Sequence, residues 1–247
     1  MLEILYQDES LVAVHKPAGL LVHRSKIAAG ESQFAIQMLR DQIGQRVYPV
    51  HRLDKPVAGV LLFALDAATA RLMTSKFACG QLSKTYRAVV RGLVAEHGRI
   101  DYPLAEVLDK TTDALADPDK APQTAITLYR RLAMVELPIP VGRYSTARYS
   151  LVELQPLTGR KHQLRRHMKH IFHPIIGDTT YGDGKHNAML REYCHSRRLM
   201  LAAIRLHFDH PRTNEPLSID AMPDGEFAAV VAKLGLTAAP SSIEKAR

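Results

Sequence analysis

A single carboxylate at the start of a predicted strand is the first candidate for chemistry in this sequence. Asp54 lies in the segment His51-Arg52-Leu53-Asp54-Lys55-Pro56, and an apolar run begins at Val57. Pro56 has no backbone donor and disfavours helix at the residue before it, so Asp54 is predicted to lie in a loop. Loops held by rigid strands often carry catalytic groups. A loop aspartate paired with Arg52 is the simpler interpretation of this segment taken alone.

A second candidate is an unusually basic segment that runs from Thr158 to His170. It contains five Lys or Arg and three His but no acid, and it is entered through Thr158-Gly159. The pattern predicts a helix from about Arg160 to Ile171. Cationic side chains and the unpaired N–H groups of a first helical turn together favour phosphate binding. The alternative is a solvated helix face, although exposed helices usually mix charges of both signs.

Four histidines in this region raise the possibility of a metal-dependent hydrolase. They follow one another at spacings of five, three and three residues, as His162, His167, His170 and His173. Zinc sites on helices usually have two ligands four residues apart, completed by Glu or Cys. No such partner lies nearby, so no metal site is predicted. Kinase and glycosidase interpretations of Asp54 also fail, because a phosphate loop and a second acid in a comparable motif are missing.

The composition is that of a basic globular protein. The 247 residues include 33 Lys plus Arg against 25 acids, a net charge of +8, and 46% of the residues are hydrophobic. This balance favours a polyanionic partner, nucleic acid before membrane. The longest wholly apolar run, 60–65, is too short to span a bilayer, and acids interrupt the N-terminus where a signal peptide would be apolar. With two unpatterned cysteines, the protein is predicted to be cytoplasmic.

The predicted elements that position these residues alternate irregularly between strands and helices. Period-two patterns predict the strands 4–6, 11–14, 57–65, 84–92, 124–135, 149–155 and 199–208. Helices are predicted from a Ser32 cap to Ile43, after Asp66, and after Asp224. The fold class is therefore α+β, with a central mixed, largely antiparallel sheet flanked by helices. We expect one domain over 1–235 with an irregular polar excursion at about 93–122, and a flexible tail over 236–247.

Three segments together resemble the signature motifs of the RluA family of pseudouridine synthases, in the same order. They are His51-Arg52-Leu53-Asp54, Lys84-Thr85-Tyr86-Arg87-Ala88-Val89-Val90-Arg91-Gly92 and Thr158-Gly159-Arg160-Lys161-His162-Gln163-Leu164-Arg165. Supporting matches are Lys16-Pro17-Ala18-Gly19, His173-Pro174-Ile175-Ile176-Gly177-Asp178 with Tyr181-Gly182, and Leu199-Met200-Leu201-Ala202. The resemblance covers roughly residues 1–235 and implies the pseudouridine synthase fold.

The resemblance also implies an activity, the isomerisation of uridine to pseudouridine without metal or cofactor. Asp54 is then the catalytic carboxylate, and whether it attacks the sugar or removes a sugar proton stays open. Arg165 matches the family arginine that pairs with this aspartate, which would keep the carboxylate ionised and fix its rotamer. Tyr86 matches the tyrosine that lines the base pocket, where its ring can stack on uracil.

The partner implied by the resemblance is RNA, bound by a monomer. The start of the chain and the segment 40–45 are similar to the branch of the family that modifies tRNA at uridine 65, and ribosomal RNA is the alternative substrate. Arg52 is expected to reach RNA when the target nucleotide leaves the stack. Substrate contacts are expected from Arg160, Lys161 and His162, with further phosphate contacts from Arg166 and Lys169.

Two positions depart from the family pattern. Val57-Ala58 replaces a usual Thr-Ser pair, and His15 replaces a usual Asn. The loss of two hydroxyl groups beside Asp54 leaves a further alternative open, an RNA-binding relative that has lost catalysis. The intact set of Asp54, Tyr86 and Arg165 favours an active enzyme.

Overall fold

The structure, a computed structural model, describes residues 1–23, 30, 32–107 and 121–236. In chain order the elements are β1 (Glu3–Gln7), β2 (Leu11–Lys16), α1 (Ala35–Ile43), β3 (Tyr48–Pro49), β4 (Ala58–Ala64), α2 (Ala67–Ala78), β5 (Ser83–Arg91), β6 (His97–Asp101), β7 (Ile126–Leu137), β8 (Ala147–Pro156), α3 (Gln163–His170), α4 (Gly184–Cys194), β9 (Leu201–Asp209), β10 (Pro216–Asp220) and α5 (Gly225–Lys233). Within these described ranges, no helix has the length and apolar character needed to cross a membrane.

One mixed sheet forms the centre of the fold. Its strand order is β1-β2-β4-β9-β5-β8-β7-β6, with β10 paired to β9 and β3 paired to β4. The pairing of β4 with β9 is parallel, and the other strand pairs are antiparallel. Within the part of the chain that the structure describes, five helices accompany this sheet. The predicted α+β class with a mixed, largely antiparallel sheet is confirmed.

Strand β4 lies in the middle of the core and leads directly out of the Asp54 loop. All seven of its residues are buried, as the continuous apolar run predicted. The strand begins with a close backbone approach at Gly59, which has φ +118°. A Cβ at this position would lie 2.0 Å from the carbonyl oxygen of Ala203 on β9. Glycine is therefore required where the parallel pair forms, and the start of β4 is held against β9.

Helix boundaries follow their caps where a polar side chain is present. The Asp66 carboxylate accepts hydrogen bonds from the N–H groups of Ala68 and Thr69, which confirms the predicted start of α2. The predicted Ser32 cap is wrong, because α1 begins after Phe34, whose side chain makes no capping bond. Helix α3 begins at Gln163 rather than near Arg160, because His162 adopts the left-handed conformation at φ 56°.

The predicted irregular excursion over 93–122 is wrong in its first part. Strand β6 occupies this segment and pairs with β7 at the edge of the sheet, and Ile100 within it is buried. Its other positions are polar because an edge strand faces solvent, so the apolar alternation was too weak to identify it. Residues 108–120 of the excursion and 237–247 of the predicted tail lie outside the described residues. Helix α4 was not predicted, although Asp183 caps it.

Candidate active site

The Asp54 loop joins β3 to β4 and is fastened at both ends. The N–H of Val57 donates to the backbone oxygen of Asp54 at 3.0 Å, forming a tight turn. The adjacent Lys55 carbonyl accepts hydrogen bonds from the N–H of Gly19 at 2.9 Å and from Nζ of the buried Lys16 at 3.1 Å. Two backbone segments far apart in sequence therefore hold the loop that presents the Asp54 side chain, which is 31% exposed.

Lys16 is the fully buried cation behind this loop. Its Nζ also donates to the carbonyl oxygens of Pro17 at 3.0 Å and Leu20 at 2.8 Å. Burial lowers the pKa of Lys16 to about 7, although the nearby Asp54 charge acts in the opposite direction. Three carbonyl acceptors match the three N–H donors of an ammonium group, so the contacts compensate part of the desolvation cost.

Arg165, on the first turn of α3, brings a guanidinium group to the Asp54 carboxylate. Its Nη1 lies 3.3 Å from Oδ2 of Asp54. The same guanidinium donates to Asp178 through Nε at 2.7 Å and Nη2 at 2.8 Å. The fork geometry of this second contact fixes the guanidinium plane. Asp178 thus orients Arg165, and Arg165 presents its remaining N–H to Asp54.

Asp178 is a fully buried carboxylate whose partners keep it ionised. Burial raises its pKa, but hydrogen bonds from Arg165 and from the N–H groups of Thr180 and Tyr181 outweigh burial, so the pKa lies below its usual range. Both N–H groups reach Oδ1 at 2.9 Å. The Arg165–Asp178 pair is therefore a satisfied buried ion pair, and removal of either member would leave an uncompensated charge.

His162 and Tyr181 complete the charged side of the site. Nε2 of His162 lies 3.7 Å from Oδ2 of Asp54, too far for a hydrogen bond, while its Nδ1 lies 3.0 Å from the Tyr181 hydroxyl. Burial, opposed by the charge of Asp54, lowers the pKa of His162, so the imidazole is neutral at neutral pH. The Arg165 guanidinium lies over the Tyr181 ring at 5.1 Å from its centroid. Stacking and hydrogen bonding thus hold both rings beside Asp54.

Tyr86, on β5, lines the opposite wall of the same cleft. Burial, and secondarily the charge of Asp54, raises its pKa well above the usual value, so the phenol stays neutral. Neighbouring strands fix its backbone, because Tyr86 pairs with Leu154 on β8 and Ala203 on β9. A neutral phenol on a rigid strand can stack against a flat ring and can donate or accept one hydrogen bond.

The cleft around these residues has a volume of about 790 Å³, which is large enough for a nucleotide. Seven of the residues predicted from the sequence line this cleft: Arg52, Asp54, Tyr86, Arg160, Lys161, His162 and Arg165. The predicted phosphate contacts Arg166 and Lys169 are not part of its lining. Arg52 is exposed at the rim. The exposed Arg160 and Lys161 side chains donate to the carbonyl oxygens of Thr124 and Val107. The roles of these residues stay predictions.

Asp178 and Lys16 are among the residues of the site that were not assigned a role from the sequence. Asp178 and Lys16 each lay in a segment recognised as a supporting match, so the signal was present in the Gly177-Asp178 and Lys16-Pro17 pairs. The sequence could not supply the contact, because Asp178 faces Arg165 across 13 positions of chain. Asp178 orients the Arg165 guanidinium, and Lys16 holds the Asp54 loop in place.

The predicted basic helix is only partly a free cationic surface. The Arg166 guanidinium donates to the Ala105 carbonyl at 2.9 Å, and the His170 ring stacks on Tyr102 with centroids 3.6 Å apart. His167 is buried, with its Nδ1 3.0 Å from the Thr127 hydroxyl. Among the residues that the structure describes, no group of three His, Cys, Asp or Glu could hold a metal ion. His167 therefore packs against β7, whereas His170 makes its ring contact at the surface.

His51 lies in the cleft wall and predicts a pH dependence of stability. Its Nε2 accepts a hydrogen bond from the N–H of Leu62 at 3.0 Å, and its ring stacks on Phe77. Burial, assisted by the charge of Lys84, lowers the pKa of His51 from 6.5 to about 3. Between these two pH values the unfolded chain binds a proton at His51 and the folded protein does not. The free energy of unfolding therefore has its full value above about pH 6.5 and falls as the pH decreases.

We expect His51→Gln to remove this dependence, because glutamine can accept the same hydrogen bond without titrating. From about pH 7 to about pH 5, the wild type should lose about 2 kcal/mol more unfolding free energy than the variant. Urea unfolding of both proteins at the two pH values measures this difference. Parallel losses in the two proteins would contradict the prediction.

Comparisons with known proteins agree with this geometry. A family model described as RNA pseudouridylate synthase matches residues 10–170. The tRNA pseudouridine synthase C of Vibrio cholerae serotype O1 is 55% identical over 235 residues, which cover 95% of this chain and 96% of that protein. The tRNA pseudouridine synthase C of Yersinia pestis is 53% identical over 245 residues, with coverages of 99% and 95%.

A solved structure is similar across almost the same length. Human RNA pseudouridylate synthase domain containing 4 is 26% identical, with a TM-score of 0.69, and the match covers 94% of this chain and 93% of the human one. The family model alone spans more than half of the sequence, and the bacterial relatives align with nearly all of it. The family predicted from the sequence motifs is thus confirmed. This chain belongs to the RNA pseudouridylate synthase family.

Proposed function

We propose that this protein is a tRNA pseudouridine synthase that isomerises uridine 65 to pseudouridine. The observation that carries the proposal is the Asp54 carboxylate, which faces a cleft of nucleotide size and contacts Arg165 at 3.3 Å. The names of the bacterial relatives favour tRNA as the substrate, since both align with almost the whole chain. Ribosomal RNA is the rival substrate.

The reaction requires one carboxylate and no change of oxidation state. The N1–C1′ glycosidic bond breaks, the uracil rotates, and a bond forms between C5 and C1′. The C5 proton is then lost to solvent and N1 is protonated, so the product is an isomer of the substrate. In our proposal Asp54 acts on the sugar as an ionised group, either as a nucleophile at C1′ or as a base, while the guanidinium of Arg165 keeps it oriented.

The uracil must stay in the cleft between bond cleavage and bond formation. We assign this function to Tyr86, whose neutral phenol ring can stack on the base in either orientation while its hydroxyl hydrogen-bonds to an exocyclic oxygen. His162, which is neutral and 3.7 Å from Asp54, is close enough to contact the ribose.

An enzyme that acts at C1′ must extrude the uridine from its helix, at a cost of about a few kcal/mol. Arg52 at the rim is proposed to contact the RNA at the vacated position. Arg160 and Lys161, also at the rim, are proposed to contact phosphates. Their present partners are backbone carbonyls, which are neutral acceptors, so an anionic phosphate can replace them.

Site mapping in treated RNA tests the proposed substrate. Purified protein should convert uridine 65 in a tRNA transcript to pseudouridine and leave a transcript with cytidine at that position unmodified. Chemical mapping of all uridines in tRNA and in ribosomal RNA fragments gives the result. Modification of ribosomal RNA alone would favour the rival, and modification of neither would contradict the proposed activity.

The cytoplasmic location and the monomeric state stay predictions within this proposal. A monomer suffices in principle, because Asp54, Tyr86 and Arg165 line one cleft of a single chain. Light scattering coupled to gel filtration, with and without tRNA, measures the mass of the active species. A dimer as the active species would contradict the monomer prediction.

A further inference from the structure

Lys84 is an unassigned cation on the wall of the cleft. It lies two residues before Tyr86 on β5, and the period-two alternation of a strand directs both side chains to the same side. Both residues line the cleft that contains Asp54. Lys84 is half-buried, so its ammonium reaches the open cleft. This partial burial lowers the pKa of Lys84 below its usual value.

No acceptor is present for the Lys84 ammonium among the residues that the structure describes. Lys84 takes part in none of the hydrogen bonds or ion pairs formed by the described side chains. Lys16, the fully buried lysine near the site, differs because it donates to three carbonyl oxygens. The half-buried Lys84 ammonium, which no acceptor among the described residues neutralises, is available to an anion that enters the cleft.

The surroundings of Lys84 leave room for that partner and favour an anion. A Cβ built on Gly159 would have the Nζ of Lys84 at 3.9 Å as its one neighbour within 4 Å among the described residues. Because Gly159 has no side chain, the Thr158-Gly159 turn leaves this side of the ammonium uncovered. His51 on the same wall is neutral, because its pKa is about 3, so it places no competing charge beside the ammonium.

We propose that Lys84 binds a non-bridging oxygen of one of the two phosphates that flank the extruded uridine. This inference rests on the proposed function. Tyr86, on the same face of β5, occupies the position suited to the base, and Lys84 lies one step further along the strand, where the sugar–phosphate backbone continues. An anionic phosphate oxygen forms a charge-assisted hydrogen bond with an ammonium, whereas a neutral uracil oxygen forms a weaker one. Lys84 is thus a positioning residue for the substrate.

Salt dependence of binding tests the charge of the partner. In an Asp54→Asn background, which removes turnover, Lys84→Met should weaken tRNA binding by about tenfold or more. Its slope of log affinity against log salt should fall by about 0.7 to 0.9, because one phosphate contact is lost. Lys84→Arg should retain the slope. Lys233→Met removes an equal charge from the exposed surface of α5 and should leave the slope unchanged.

Neutral phosphates identify the contact directly. A neutral methylphosphonate is placed on the 5′ or the 3′ side of the target uridine. At one of these two positions it should weaken RNA binding by about tenfold when Lys84 is present. At the same position it should not change RNA binding by the Lys84→Met variant. Equal losses in both proteins at both positions, or an unchanged salt slope in Lys84→Met, would overturn the phosphate contact. Because Lys84 is half-buried and has no acceptor among the described residues, Lys84→Met should leave the thermal stability close to that of its parent.

Failure of the proposed function and failure of the Lys84 assignment give different results. Wild-type protein that forms no pseudouridine in the unmodified tRNA contradicts the isomerase proposal, whatever the variants do. Wild-type protein that forms pseudouridine, with Lys84→Met showing full affinity and the full salt slope, overturns the assignment of Lys84 alone.

Discussion

Asp54→Asn is expected to lower pseudouridine formation by at least about 10⁴-fold. Asparagine has nearly the same shape as aspartate, but it is neutral and can serve neither as a nucleophile nor as a base toward the sugar. The fold should tolerate the change, because Arg165 keeps its two hydrogen bonds to Asp178 when the charge of Asp54 is removed. The variant therefore removes the reacting group and keeps the arrangement of the other side chains in the site.

Tritium release from RNA labelled at uracil C5 measures this prediction, because the label leaves only on turnover. The affinity of Asp54→Asn for the same RNA should remain within about threefold of the wild-type value. The control variant Asp220→Asn, which loses an exposed carboxylate paired with Arg205, should also bind this RNA within about threefold of wild type. The control should also keep full activity. Substantial label release by Asp54→Asn would exclude Asp54 as the catalytic group and would favour another acid.

Asp178→Asn is expected to have the largest effect on stability, a loss of about 3 to 5 kcal/mol of unfolding free energy. The Arg165 side chain is 7% exposed, so without Asp178 its charge stays buried with Asp54 as the remaining anionic partner among the described residues. The guanidinium should also lose its fixed plane, and activity should fall even where the variant is folded. Asp220→Asn, which breaks an exposed pair, should cost less than about 1 kcal/mol.

A double variant separates the two consequences of losing Asp178. When Arg165→Met is added to Asp178→Asn, the buried charge that Asp178→Asn leaves uncompensated is removed, and stability should recover by about 2 kcal/mol or more. Activity should not recover, because Asp54 then lacks its cation. Urea unfolding and tritium release on the single and double variants give both quantities. Recovery of activity together with stability would show that Arg165 contributes to folding alone.

The parts of this fold that were predictable from sequence are those with local causes. The buried strand β4 follows from a continuous apolar run, and the start of α2 follows from a capping carboxylate at Asp66. Residues of the site were found through motifs, each a short segment with its own composition. Strand β6 escaped prediction because an edge strand needs few apolar residues, and Gly98 lies within it where the Tyr129 ring packs.

The parts that were not predictable depend on contacts across the chain. His162 adopts a left-handed conformation that its own residue type does not demand, and this conformation delays the start of α3 to Gln163. The pairing of Arg165 with Asp178 needs the loop after α3 to return to the helix, which no local pattern specifies. Lysine is usually a surface residue, yet Lys16 is fully buried. Its ammonium donates to the carbonyl oxygens of Pro17, Leu20 and Lys55.

The position of β9 in the sheet determines how late in protein synthesis the active site can form. Strand β9 lies between β4, which follows the Asp54 loop, and β5, which carries Tyr86, so the two walls of the cleft are bridged by a segment from the last fifth of the chain. A ribosome must release residues 201–209 before this strand can insert. Such distant pairing is slow to form, and a nascent chain therefore stays catalytically silent until synthesis is nearly complete.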